Sequence, residues 1–204
     1  MSLKELRNEF EKRFNVYLKN IFDGQKNVKV GKNKITIKKD KSIACIDFTY
    51  LNNLHAYGTI IVVKSPTIKS ELDRFCPPYK SNLPNDEYIY CMSTMGEKDG
   101  CPLLPSTEDG IEKTCKLLLD RLKYAQLPAI VNLLDVNKDL VGDIISNPKC
   151  YSYPFLLILL AINRNGISKD DIDCDALLSE KTLGFNNEKD IKLKFNKELF
   201  QIYS

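Results

Sequence analysis

An α+β fold is predicted by three features of this 204-residue chain. A helical period opens it, alternating apolar segments joined by short turns follow as far as Met95, and helical periods fill the chain from Thr107 onward. Strands and helices segregated in this way define α+β architecture, in contrast to the regular alternation of parallel α/β folds. The expected arrangement is an antiparallel sheet of about five strands, with an N-terminal helix and a C-terminal run of helices packed mainly on one face. One domain over residues 1–204 is expected, strand-rich over 1–95 and helical over 107–204. The helical part can form a partly separate layer, and the 96–106 loop is the only candidate boundary.

Leu3, Leu6, Phe10, Phe14, Tyr17 and Ile21 recur at steps of three and four, one face of an amphipathic helix that Gly24 ends. Val28 and Val30 alternate up to a turn at Gly31-Lys32-Asn33, and Ile35 and Ile37 alternate after it. Lys39-Asp40-Lys41 makes a second turn before Ala44, Ile46, Phe48 and Tyr50. Leu51-Asn52-Asn53 makes a third before Tyr57, Thr59, Ile61 and Val63. Short turns between consecutive strands imply an antiparallel meander. A short helix over Ile68 to Phe75 and a fifth strand over Glu87 to Met95 complete this half.

In the second half, Ile111, Cys115, Leu118, Leu122 and Ala125 mark a helix that Ser106 or Thr107 can cap. Pro128 starts another helix or kinks this one. A short helix is expected over Asp135 to Ile145, and a buried one over Tyr151 to Ile162, apolar nearly all round and ended by Asn165-Gly166. A helix from Ser168 through Leu178 and an amphipathic one marked by Ile191, Phe195, Leu199 and Ile202 follow.

Charged residues make up 28% and the net charge is +3, a mild excess that falls short of a dedicated nucleic-acid binder. The average conceals a cluster. Lys26, Lys29, Lys32, Lys34, Lys38, Lys39 and Lys41 lie within sixteen residues, against the single acid Asp40. Clustered lysines concentrate phosphates or acidic partners, but they also guard an edge hairpin against unwanted strand pairing. Arginine and interleaved aromatics, which base readout and stacking require, are missing from the cluster. The seven cysteines are odd in number and no two are closer than ten positions, which fits a reducing compartment. With no signal-peptide core at the N-terminus and no bilayer-spanning apolar run, a cytoplasmic protein is expected.

Motifs for common chemistries are absent. Gly96, Gly100 and Gly110 match no phosphate-binding loop. No tight cysteine pair could anchor zinc, although Cys76, Cys91, Cys101 and Cys115 would supply four thiols. Asp135-x-Asn137-x-Asp139 and Asp171-x-Asp173-x-Asp175 imitate calcium loops, but neither has the glycine or the bidentate glutamate such loops need, so both read as acids at helix N-termini. No cofactor and no metal is expected. His55, the only histidine, could pair with a cysteine as a nucleophilic dyad, though nothing marks the partner.

The stretch Asp109 to Leu134 sets an amphipathic helix after a strand-rich half, then Leu127-Pro128 and a second helix. In this cadence the chain resembles small uncharacterised bacterial proteins, some of them encoded in toxin–immunity loci. The resemblance implies a non-catalytic protein that neutralises a cognate toxin by covering its active site. It carries no shared site residues.

The expected function is therefore binding of another protein, with a bacterial toxin as the partner the resemblance implies. The expected contact residues are Lys29, Lys32, Lys34, Lys38, Lys39 and Lys41 on the hairpins, with Tyr79 and Lys80 in the 76–86 loop; the 96–106 loop is a further contact surface. The alternatives are a nucleic-acid-associated protein using the lysine cluster and a thiol-dependent enzyme using His55.

Overall fold

The structure, a computed structural model, describes residues 2–168 and 171–203. The fold is α+β, with one five-stranded antiparallel sheet in the order β1-β2-β3-β4-β5, an N-terminal helix and a C-terminal run of helices. The strands are β1 (Val28–Gly31), β2 (Lys34–Lys39), β3 (Ser42–Leu51), β4 (Ala56–Lys64) and β5 (Tyr88–Ser93). Contacts divide the chain into two compact units, Met1–Val62 with Met92–Pro128, and Val63–Cys91 with Ala129–Ser204. The division falls within β4, β5 and the helical run, not in the 96–106 loop.

In the first unit, helix α1 (Leu3–Ile21) begins at a capping box in which Ser2 and Glu5 satisfy each other's backbone N–H. Its Phe10 and Phe14 rings meet Tyr57 and Phe48 of the sheet at 4.6 and 4.9 Å between centroids. Each fully buried phenylalanine contributes about 2 to 3 kcal/mol of hydrophobic stabilisation. Ile35 lies opposite Ile46, and Ile37 opposite Ala44, so one face of β2 and β3 is continuous core. Helix α3 (Glu108–Arg121), capped by Thr107, lies beside α1, and Arg13 of α1 reaches Glu108 and Glu112. The 96–106 loop is tied down. Arg121 donates to the carbonyls of Asp99 and Gly100 at 2.8 and 3.0 Å, and Tyr57 N–H donates to the Pro102 carbonyl at 2.9 Å.

Residues Leu122–Gln126 form a π-helical turn, after which α4 (Leu127–Asp135) begins, so Pro128 falls in the first turn of a helix. The helical run continues without a break, and Leu127 N–H donates to the Leu122 carbonyl, so the widened π-helical ladder lies at the step where Pro128 has no N–H to donate.

In the second unit, α2 (Pro66–Asp73) is capped by Ser65. The helix expected over Asp135 to Ile145 is shorter: α4 ends at Asp135, and α5 (Leu140–Ser146) starts after a turn in which Asn137 Oδ1 accepts from Asp139 and Leu140 N–H. Helix α6 (Pro154–Asn165) is buried from Pro154 to Ala161 and stops at Gly166, whose φ of 59° is the left-handed geometry glycine favours. Residues 169 and 170, inside the helix expected from Ser168 to Leu178, lie outside the described residues. Among the described ones the α-helix is α7 (Cys174–Leu177), capped by Asp173.

Helix α8 (Lys189–Tyr203) turns inward only part of the face its apolar residues mark, with Phe195 half-buried and polar residues beside it. Lys192, Asn196 and Leu199 are buried, whereas Ile191 and Ile202 are 47% and 76% exposed. Hydrogen bonds to the 76–86 and 183–185 segments decide its orientation. No helix among the described residues is long and apolar enough to cross a membrane.

Candidate functional site

The lysine cluster occupies the first two hairpins. Lys29 lies opposite Thr36, and Lys38 opposite Ile43, on the face that points away from α1. Thr36, Cys45 and Asp47 share that face and are half-buried, and Ile43 is 38% exposed. The lysines are not equivalent. Lys34 pairs with Asp47 across the strands at 3.2 Å. Lys32, at the tip of the first hairpin, reaches Glu11 of α1 at 3.0 Å. Lys29, Lys38 and Lys41 have no ion-pair partner among the described residues, and all three are exposed. Lys39 is exposed at the end of β2 and makes contacts of its own.

Glu11 organises the base of this region. Its carboxylate is 3% exposed. It accepts from Arg7 Nε at 2.7 Å and from the Tyr57 hydroxyl at 3.2 Å. Burial pushes its pKa up, but hydrogen bonds from Arg7 and Lys32 outweigh this and hold it below the ordinary carboxyl value. The neighbouring pair Asn15 and Asn33 bond reciprocally. Asn15 Nδ2 donates to Asn33 Oδ1 at 2.9 Å, and Asn33 N–H donates to Asn15 Oδ1 at 2.8 Å. With φ of 51°, Asn33 takes the left-handed position this tight turn requires. Two of the candidate contact residues thus anchor the hairpin, Lys32 through Glu11 and Lys34 through Asp47.

Tyr79 and Lys80 belong to the other unit and part ways. Lys80 is exposed, but Tyr79 is only 9% exposed, which removes its ring from the accessible surface. The Tyr79 hydroxyl donates to Asn196 Oδ1 at 3.2 Å, and its ring packs against Phe195 and Tyr153. Beside it lies Lys192, 4% exposed, whose Nζ donates to Asn82 Oδ1 and to the Phe185 carbonyl, both at 3.0 Å. Burial pushes the Lys192 pKa down. Glu11 and Lys192 escaped sequence reasoning for different reasons. Glu11 stands three and seven positions before Phe14 and Leu18 on the core stripe of α1, a misplaced acid that could have been noticed. Lys192 carries no such signal, because one of its acceptors, Asn82, lies 110 positions away and the other is a backbone carbonyl.

His55 Nδ1 lies 2.9 Å from the Tyr50 hydroxyl, and the two rings are neighbours. Cys115 is buried, and burial pushes its thiol up to about 12, the opposite of nucleophile activation. Burial also pushes the Cys91 thiol up. Among the described residues, no three His, Cys, Asp or Glu side chains converge as metal ligands. No family model, curated protein or solved structure matches the chain.

Proposed function

We propose that this protein acts by binding another protein through the lysine-bearing hairpins of β1 to β3. One observation carries this reading. Lys29, Lys38 and Lys41 stand exposed without ion-pair partners beside a partly exposed Ile43, while Lys32 and Lys34 hold the hairpin in place. Unpaired charge of one sign complements an acidic surface and steers its approach. The same face lacks arginine and aromatic rings, and Asp47 sits within it, which disfavours a phosphate backbone. A partner whose active site is blocked by such contact is the finer form of this proposal, drawn from the resemblance of residues 109–134 to uncharacterised bacterial proteins, some of them encoded in toxin–immunity loci. Capture of the tagged chain from its own organism after nuclease treatment tests it. A stoichiometric protein that is lost when Lys29, Lys38 and Lys41 are changed to glutamate supports the reading. Retention of nucleic acid alone ends it.

A further inference from the structure

Strand β1 lies at an edge of the sheet, so one side of its backbone has no neighbouring strand. The pairing fixes which groups are open. Lys38 N–H donates to the Asn27 carbonyl at 2.9 Å, which makes that a hydrogen-bonded pair. Antiparallel ladders alternate, so Lys29 with Thr36 and Gly31 with Lys34 are the next hydrogen-bonded pairs. Val28 and Val30 therefore direct their backbone groups to the outer edge. Val28 N–H is taken by the Gln25 carbonyl at 3.1 Å, but the Val30 N–H and carbonyl face outward.

That edge borders a groove of about 500 Å³ between β1 and the flank of α1. Lys12, Lys19 and Lys32 bring positive charge to it, and Asn8 and Asn15 add amides. Its one carboxylate, Glu11, is already engaged by Arg7 and Lys32.

We propose that the partner docks by adding an acidic extended segment as a sixth strand on the edge of β1. This deepens the protein-binding reading above and rests on it. Strand addition supplies backbone hydrogen bonds, and alternate side chains supply specificity. The register follows from geometry. The segment residue opposite Val30 exchanges both backbone hydrogen bonds with it, and residues directly opposite in an antiparallel pair share a face. The Val30 side chain lies on the α1 side, because its partner Ile35 is in the core. The facing residue of the segment thus points at Lys12 and Lys19 and is Asp or Glu, with every second residue following suit. Lys12 and Lys19 on α1 beside the edge leave a neutral or basic strand without compensating charge, so the same charges select an acidic one.

The test uses the full chain, labelled with ¹⁵N, and a capped peptide of alternating Glu and Val as probe. Saturable shifts and slowed exchange at the Val30 amide are expected. Methylating the backbone nitrogens of the Glu residues should abolish binding, whereas methylating those of the Val residues should leave it intact. The variant Lys12→Glu/Lys19→Glu, changed only at exposed positions, should bind about tenfold more weakly. No response at Val30 with about 1 mM peptide, or equal effects of the two methylations, overturns the proposal. A captured partner that binds Lys12→Glu/Lys19→Glu as well as the original chain also overturns strand addition, while leaving protein binding through the hairpin face intact. Failure to capture any protein ends the broader reading instead.

Discussion

Lys32 Nζ sits 3.0 Å from Glu11 Oε2, joining the tip of the first hairpin to the buried side of α1. The contact couples a solvent-facing cation to a carboxylate that water scarcely reaches, and Arg7 and Tyr57 hold the same group. Glu11→Gln should destabilise the protein by about 2 kcal/mol in urea unfolding, because it discharges the acceptor and leaves these donors poorly matched. The pH dependence has a definite sign. The folded pKa of Glu11 lies below the ordinary 4.5, so the unfolded chain binds the proton more readily as pH falls. The advantage of the native protein over Glu11→Gln should be full above that ordinary value and shrink as pH drops through the folded one.

Lys192 reverses the sense. Its folded pKa lies below 10.5, so the unfolded chain holds the proton over a range where the folded chain has lost it. Burying the cation costs stability at neutral pH, and the cost is relieved as pH rises toward 10.5. Unfolding curves of the native protein and Lys192→Met, compared from pH 7 upward, should move in favour of the native protein. A difference that stays flat or moves the other way would mean that Asn82 and the Phe185 carbonyl fully offset the burial.

Gly184 adopts φ of 76°, and a Cβ there would collide with Asn82 Nδ2 and come within 3.0 Å of the Pro148 carbonyl. Gly184→Ala should therefore cost about 2 kcal/mol, from the left-handed backbone and the clash together. Gly142, helical and with nothing close to its missing Cβ, is the control. There the same change should be neutral or stabilising, as measured by thermal unfolding.

The thiols should separate by exposure. Cys76 is exposed and Cys115 is buried, with its thiol pushed up to about 12. In timed alkylation of the folded protein at pH 8, read by peptide mass spectrometry, Cys76 should label among the first and Cys115 last. A single cysteine reacting far faster than an exposed thiol would revive the thiol-enzyme alternative.

The sheet and α1 were legible because their signals are local. Ile35, Ile37, Ala44 and Ile46 alternate along short strands, and tight turns leave one register that buries them all. Helix α6 was legible because apolar residues occupy its whole circumference. What failed depends on distant partners. Tyr79 looked like an exposed loop ring, yet Asn196, 117 positions away, accepts its hydroxyl. Ile191, Phe195, Leu199 and Ile202 mark a face of α8, but Lys192 turns inward beside Phe195 and Leu199, where Asn82, 110 positions away, accepts from it. The lysine cluster was legible as a cluster. Its division into anchors and unpaired cations was not, because Glu11 and Asp47 meet Lys32 and Lys34 only after the hairpins form.

The most direct test compares nuclease-treated capture by the original chain with capture by Lys29→Glu/Lys38→Glu/Lys41→Glu, both confirmed to be folded by circular dichroism. The account predicts one stoichiometric protein on the original chain and at least about a tenfold loss on the variant, greater at low salt than at high. Equal recovery of that protein on both chains would contradict it.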